Sequence, residues 1–187
     1  DKGLSRIKVI LNEEFKQGRI TKGKMDEILS RITATADYDK LRNCDLIIEA
    51  VFEDRDLKGK VTTEAERIMD SNGVFASNTS TLPITGLAEK SIRPEKFIGI
   101  HFFSPVHKMK LVEIIKGDKT NDETIAKAFD YVLKIKKIPI VVNDSRGFYT
   151  SRVFSTYPNE GLALLAEGNS PQEIESAGKK AGMPVGP

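Results

Sequence analysis

Short, uninterrupted apolar runs alternate with stretches of helical periodicity along most of this chain, and this alternation restricts the fold more than any other feature. Apolar runs of about four to eight residues bounded by polar residues indicate strands. Their continuous apolar character is typical of strands buried in a parallel sheet. The runs are DLIIEAVFE, GVFASN, FIGIHFF, KLVEII and IPIVV. Helical stripes separate several of them, as over 56–70 and 121–136. The sequence therefore predicts an α/β fold with a mostly parallel sheet covered on both faces.

Helical sequence flanks the strand region at both ends. Apolar residues at three- and four-residue steps predict a helix over 3–17, and Thr21 is a predicted cap for a second helix over 22–31. No strand candidate follows Asn143, and the sequence from 147 to 182 has the pattern of two amphipathic helices joined by a turn. We therefore expect an α/β domain over 1–143, followed over 144–187 by the start of an all-helical domain.

Composition excludes several classes of protein. The 187 residues include 29 Lys+Arg and 27 Asp+Glu, for a net charge of +2. Because the two signs are mixed along the chain, no basic face for nucleic acid is expected. No apolar run approaches the roughly 20 residues of a membrane helix, so no membrane span is expected. A lone Cys44 indicates a reducing compartment, and no Cys or His spacing suggests a metal site.

Polar side chains follow three of the predicted strands. They are Glu49 and Glu53 after the first, the segment 77–80 (SNTS) after the second, and His101, followed by FFSP, at the end of the third. An open α/β sheet binds its ligand at the carboxyl ends of its strands. We therefore expect these groups to converge on one crevice.

His101 is the candidate proton carrier, because imidazole titrates near neutral pH. A lone histidine at a strand end is also commonly a hydrogen-bonded structural residue. Glu113 lies inside the apolar run LVEII of the next predicted strand, where a carboxylate is costly to bury without a partner. His101 could be that partner, with the carboxylate orienting its ring. The alternative, in which Glu113 alternates outward into solvent, stays open. His107, in a lysine-rich loop, is expected to be exposed.

Three further positions have a functional and a structural interpretation. Ser80 could donate a hydrogen bond to a substrate oxygen, or its loop could simply cap the following turn. Glu53 and Lys58 lie where a nucleotide sugar or phosphate passes in a dinucleotide-binding sheet, but equally could be a solvated acid and base. The sequence contains no GxSxG motif, so nothing indicates a nucleophilic serine. Gly147 is expected to provide the turn between the two predicted domains.

The chain has no GxGxxG sequence. In a dinucleotide-binding sheet these glycines follow the first strand and let a pyrophosphate approach a helix N-terminus. Here the sequence begins instead with helical periodicity and without an initiator Met. We therefore expect it to be a piece of a longer protein.

Four segments, in order, closely resemble the 3-hydroxyacyl-CoA dehydrogenases, especially the dehydrogenase part of multifunctional fatty-acid oxidation proteins: IEAVFEDRDLKGKV, SNTSTLPIT, GIHFFSPVHKMKLVEII and VNDSRGFYTSRVF. The resemblance implies NAD-dependent oxidation of an L-3-hydroxyacyl-CoA to the 3-ketoacyl-CoA in β-oxidation. It also implies a chain truncated at both ends. Residues 1–143 would be a Rossmann-like NAD-binding domain lacking its first βαβ strands, and 144–187 the beginning of a helical substrate and dimerisation domain.

The resemblance also implies roles for individual residues. His101 would be the catalytic base, Glu113 its paired carboxylate, and Ser80 a contact to both substrate and nicotinamide. The implied cofactor-binding residues are Val51, Phe52, Glu53, Lys58, Ser80 and Ser104, and the implied substrate-binding residues are Ser80 and Ser151. Ser104 and Ser151 stand where many relatives have asparagine, so their reach is shorter.

The implied partners are the acyl-CoA substrate, NAD, and a second copy in a homodimer formed through C-terminal helices beyond this sequence. The implied location is the bacterial cytoplasm, or the mitochondrial matrix or peroxisome of a eukaryote. Two alternatives remain. The chain could be a non-catalytic remnant unable to bind NAD, since it lacks the glycine turn. It could also be a Rossmann-type dehydrogenase acting on a 3-hydroxyacid without CoA.

Overall fold

The structure, a computed structural model, describes residues 2–187. It contains two compact units, Asp1–Lys40 and Leu41–Pro187. In the first unit, helix α1 spans Lys2–Lys16 and helix α2 spans Lys22–Ser30. The Thr21 hydroxyl accepts a hydrogen bond from the Lys24 amide at 3.2 Å and so caps α2. The two predicted helices and the predicted cap are confirmed.

In the second unit, five strands form one sheet whose spatial order follows the chain. The strands are β1 (Leu46–Glu49), β2 (Val74–Ser77), β3 (Phe97–Phe102), β4 (Leu111–Lys116) and β5 (Ile138–Asn143). β1–β2, β2–β3 and β4–β5 pair in parallel, whereas β3 and β4 pair antiparallel. The segment between β3 and β4 is too short for a parallel crossover, which needs a dozen or more residues. The predicted mostly parallel α/β sheet is confirmed.

Helices connect the strands and follow the sheet. They are α3 (Arg55–Glu66), α4 (Ile84–Ala88), α5 (Asp122–Lys134), α6 (Thr150–Ala166) and α7 (Pro171–Lys180). One 3₁₀ turn, at Tyr38–Leu41, precedes β1, and another, at Pro94–Lys96, precedes β3. Side chains of Asp54, Asn121 and Ser170 cap α3, α5 and α7. α3 ends at Glu66 rather than at residue 70, as the chain turns toward Gly73. Among residues 2–187, no helix combines the length and apolar character needed to cross a bilayer.

The core lies on both faces of the sheet. On one face, apolar side chains of β2, β3 and β4 pack against α5: Val74, Ala76, Ile98, Ile100, Val112, Ile114, Ala128 and Val132. On the other face, Phe75 stacks on Phe97 with ring centroids 5.6 Å apart. There, Ile84 of α4 lies over Gly99 of β3. His101 and Glu113 share this second face, because side chains alternate along a strand.

Gly99 permits the close approach of α4 to β3. A β-carbon at residue 99 would lie 2.7 Å from Ile84 Cδ1 and 2.9 Å from Ile115 Cδ1. We expect Gly99→Ala to lower the free energy of unfolding by about 1–3 kcal/mol, the usual effect of overpacking a core. Urea unfolding would measure this. Gly23→Ala is the control, since nothing lies within 4 Å of that position, and equal stability of the two variants would contradict the prediction.

Candidate active site

His101 and Glu113 lie directly opposite each other in the antiparallel pairing of β3 and β4. The His101 Nδ1 atom is 2.8 Å from Glu113 Oε2. The side chains are 8% and 0% exposed, respectively. Glu113 therefore does not point into solvent, and the structure joins the two residues that the apolar pattern had suggested as partners.

The protonation state of Glu113 follows from its surroundings. Burial acts to raise the pKa of the Glu113 carboxyl, but hydrogen bonds from His101 and Thr150 outweigh it and hold the pKa below its usual value of 4.5. The ionised carboxylate can only accept hydrogen bonds, so the proton of the shared bond must belong to His101 Nδ1. In neutral His101 this leaves the Nε2 lone pair available to accept a proton.

The turn before α6 contributes to the same site. Gly147 has φ +74° and Phe148 has φ +49°, so two successive residues occupy the left-handed region, which costs a non-glycine residue about 1 kcal/mol or more. Phe148 is fully buried, with its ring centroid 6.0 Å from that of His101. The turn brings the Tyr149 and Thr150 amides to Glu113 Oε1, at 3.2 and 2.8 Å. The turn predicted at Gly147 is confirmed.

Glu53 organises the loop that carries Ser80. Its Oε1 atom accepts hydrogen bonds from Thr79 Oγ1 at 2.5 Å, from the Ser80 amide at 2.9 Å and from the Thr81 amide at 3.1 Å. Thr79 Oγ1 also accepts from the Leu82 amide at 3.0 Å. The loop therefore also caps the turn that follows it, which is the structural role considered for it in the sequence. Ser80 is exposed, and within residues 2–187 its hydroxyl makes no protein hydrogen bond, which leaves it available to a ligand.

Lys58 and Glu49 form a buried ion pair beneath this loop. Their Nζ and Oε1 atoms are 2.8 Å apart, and each side chain is 1% exposed. Lys58 also donates to the Val51 carbonyl at 3.3 Å and lies 3.5 Å from Glu53 Oε2. The sequence had placed Glu49 in the crevice and Lys58 against a cofactor. In this structure both side chains lie inside the protein, where the Lys58 ammonium contacts the Val51 carbonyl and Glu53. The cofactor contact of Lys58 stays a prediction.

The carboxyl ends of β2 and β3 are linked directly, since the Phe102 amide donates to Asn78 Oδ1 at 3.0 Å. Around this edge, Phe52 is 85% exposed. The other predicted site residues are half-buried or exposed: Val51, Ser104 and Ser151. His107 is exposed, as predicted. The residues that sequence reasoning missed are Tyr149 and Thr150, although their position in the first turn of a predicted helix is one where N–H groups attract carboxylates.

The donor set fits one part of a dinucleotide. The exposed ring of Phe52, the Ser80 hydroxyl and His101 all belong to the carboxyl edge of the sheet, where they suit a nicotinamide and its ribose. No glycine-rich phosphate turn occurs within the described residues, so the fit covers the nicotinamide side only. Over the same residues, no group of three or more His, Cys, Asp or Glu side chains is arranged to hold a metal ion.

Acid should weaken the hold of Glu53 on the loop. Partial burial acts to raise the pKa of Glu53, but hydrogen bonds from Thr79, Thr81 and Ser80 and the charge of Lys58 prevail and lower it. A carboxyl with a lowered folded-state pKa stabilises the fold above its usual pKa of 4.5, and this contribution is lost as the pH falls through the lowered value.

We therefore expect the stability advantage of the wild type over Glu53→Gln to shrink as the pH falls from 5 toward 3. Unfolding free energies from urea titrations across this range would show it. Glu64→Gln, which removes an exposed carboxyl from α3, is the matched control. An advantage that is constant with pH would count against the proposed role of the Glu53 carboxylate.

A largely parallel sheet with connecting helices and polar side chains at the carboxyl ends of its strands is the arrangement found in the dinucleotide-binding class of α/β proteins. Within that class, the chain belongs to the 3-hydroxyacyl-CoA dehydrogenase family. Residues 1–145 match the family model described as 3-hydroxyacyl-CoA dehydrogenase, NAD binding domain. Residues 147–187 match the model of the C-terminal domain of 3-hydroxyacyl-CoA dehydrogenase.

Individual relatives agree with this assignment. The fatty acid oxidation complex subunit alpha of Shewanella amazonensis is 42% identical over 191 residues, covering 100% of this chain and 27% of the relative. The (S)-3-hydroxybutyryl-CoA dehydrogenase of Ralstonia eutropha superposes with a TM-score of 0.95 at 37% identity, over 99% of this chain and 66% of the other. For the 3-hydroxybutyryl-CoA dehydrogenase of Escherichia coli K12 the TM-score is 0.95 at 30% identity, over 100% and 40%. The chain thus spans about a quarter of the length of the Shewanella subunit.

Proposed function

We propose that this chain carries the reaction centre of an NAD-dependent dehydrogenase that oxidises an L-3-hydroxyacyl-CoA to the 3-ketoacyl-CoA in fatty-acid β-oxidation. The observation that carries the proposal is the 2.8 Å contact between His101 Nδ1 and Glu113 Oε2 at the carboxyl edge of the sheet. Membership of the family supports the reaction. The relatives named as fatty acid oxidation complex subunits support the substrate class.

In this proposal His101 is the general base. Its Nε2 atom accepts the proton of the substrate 3-hydroxyl, while Glu113 keeps the Nδ1–H bond and stabilises the imidazolium that forms. The Ser80 hydroxyl donates a hydrogen bond to the substrate oxygen. Bound NAD supplies the acceptor for the hydride that leaves C3. General base catalysis of this kind contributes about 10²–10⁴-fold to the rate.

The remaining site residues divide into contacts and supports. Val51, Phe52 and Ser104 would contact the nicotinamide side of the cofactor, and Ser151 the substrate. Glu53, Lys58 and Ser80 would contact the cofactor as well. Glu53 also holds the Ser80 loop, and Lys58 also neutralises Glu49 and Glu53 beneath it.

At the level of the whole protein, we further propose an NAD-binding domain over 1–143 and a helical substrate domain over 144–187. Homodimerisation through helical segments and a location in the bacterial cytoplasm complete the proposal. The bacterial origin of the similar fatty acid oxidation subunits supports that location.

The experiment that tests the substrate class compares 3-hydroxybutyryl-CoA with free 3-hydroxybutyrate, each supplied with NAD, by following NADH formation. Turnover of the thioester alone is expected. Equal turnover of the free acid would favour the dehydrogenase that does not require CoA. Calorimetric titration of the 187-residue chain with NADH addresses the non-catalytic alternative, and absence of both binding and turnover would establish it.

A further inference from the structure

Thr150, the first residue of α6, makes two hydrogen bonds to Glu113 that the roles above leave unexplained. Its amide donates to Oε1 and its hydroxyl donates to Oε2, each at 2.8 Å. Oε2 also accepts from His101 Nδ1 at 2.8 Å. The Thr150 hydroxyl and the His101 ring therefore share one carboxylate oxygen.

The hydrogen bonds to its two oxygens fix the orientation of the Glu113 carboxylate. A carboxylate offers about four acceptor sites, two on each oxygen. Here the amides of Tyr149 and Thr150 occupy Oε1, while the Thr150 hydroxyl and His101 occupy Oε2. Rotation of Glu113 would break bonds on both oxygens at once. The positive end of the α6 dipole adds to the stabilisation of the negative charge.

We infer that Thr150 is a positioning residue of the reaction centre, whose hydroxyl holds Glu113 Oε2 against His101 Nδ1 and so selects the tautomer that leaves Nε2 free. The effect of Thr150 on turnover rests on the proposed function, whereas its effect on the tautomer does not. Glu113 lies in the part of the chain that matches the NAD-binding domain, and Thr150 in the part that matches the C-terminal domain. The inferred consequence is that the second domain completes the dyad of the first.

The experiment uses Thr150→Val, which removes the hydroxyl but keeps the amide and the β-branched shape, in the 187-residue chain. Thr150→Ser, which keeps a hydroxyl, is the matched control. Imidazole ¹⁵N shifts report the tautomer directly, and the chain has only two histidines, so His107→Gln identifies the His101 signals. We expect wild type and Thr150→Ser to show a single Nδ1–H tautomer. Thr150→Val should show a mixture, because Oε2 then loses one of its two hydrogen bonds and can turn away from the ring in part of the molecules.

Turnover provides the second readout. In Thr150→Val, kcat on 3-hydroxybutyryl-CoA should fall about tenfold, the usual effect of losing a hydrogen bond to a charged group, while KM changes little and Thr150→Ser recovers most of the rate. If Thr150→Val does not fold, Thr150→Ala removes the same hydroxyl and is measured in the same way.

The inference is overturned if the variant lacking the hydroxyl keeps a single Nδ1–H tautomer, or if Thr150→Ser is as impaired as Thr150→Val. A tautomer that shifts as expected in a chain without dehydrogenase activity would support the positioning role and count against the proposed function. Failure of the positioning inference and failure of the proposed function would therefore give different results.

Discussion

Lys58→Ala is expected to lower the free energy of unfolding by about 3–5 kcal/mol, the usual cost of removing one partner of a buried ion pair. The Glu49 carboxylate would remain buried with only Ser77 Oγ and the Val51 amide as donors, at 2.8 and 2.7 Å. Both are neutral groups, so the negative charge would lose its only cationic partner recorded within the described residues. Equilibrium urea unfolding at neutral pH measures the loss.

Two further variants make this test specific to the ion pair. Lys60→Ala, which removes an exposed lysine of the same helix, should change the stability little. The double variant Lys58→Met/Glu49→Leu should recover most of the loss, because apolar pairs of similar volume often replace a buried ion pair without cost. A Lys58→Ala variant as stable as Lys60→Ala would show that the pair does not stabilise the fold.

His101→Gln is expected to reduce kcat for the 3-hydroxyacyl-CoA by about 10²–10⁴-fold, the contribution of a general base. The glutamine amide can still donate a hydrogen bond to Glu113, but it offers no basic nitrogen to the substrate hydroxyl. KM should change only a few-fold, since the remaining contacts to the substrate are kept. Steady-state kinetics in the NADH assay would measure both constants.

His107→Gln is the matched control, because His107 is exposed on the loop after β3 and has no proposed role in the reaction. It should keep the rate of the wild type. A His101→Gln variant that retained most of its kcat would refute the general-base assignment.

The elements of the fold were predictable because each has a local signal. Apolar runs marked all five strands, and capping side chains such as Thr21 marked helix starts. The antiparallel pairing of β3 with β4 was not predicted, since no local pattern distinguishes it from a parallel one. Only the short connection between the two strands excludes a crossover.

The candidate site was predictable where the chemistry of a residue conflicted with its surroundings. Glu113 stood out because a carboxylate in an apolar run needs a partner, and His101 was the available one. Lys58 gave no such signal. Its partner Glu49 is at the end of a strand, separated from Lys58 by a loop and the start of a helix. Only the folded chain shows that both side chains are buried.

Two contacts between segments far apart in the sequence could not be predicted. The Asp144 carboxylate accepts from the Ile84 and Thr85 amides at 2.9 and 2.8 Å, across about 60 residues of chain. Thr150 and Glu113, 37 residues apart in the sequence, are likewise joined by a hydrogen bond. Nothing in the local sequence of either partner specifies the other.

The antiparallel register of β3 and β4 also determines which changes in chain length the site can tolerate. Because successive side chains of a strand face opposite sides of the sheet, deleting one residue between Phe97 and His101 would turn the imidazole toward the face covered by α5. Glu113 would stay on the original face, bound to the α6 amides. Residues added between β3 and β4 would lengthen a surface loop and leave the pairing of His101 with Glu113 intact. Natural length variation in such chains should therefore occur in that loop and be absent from β3.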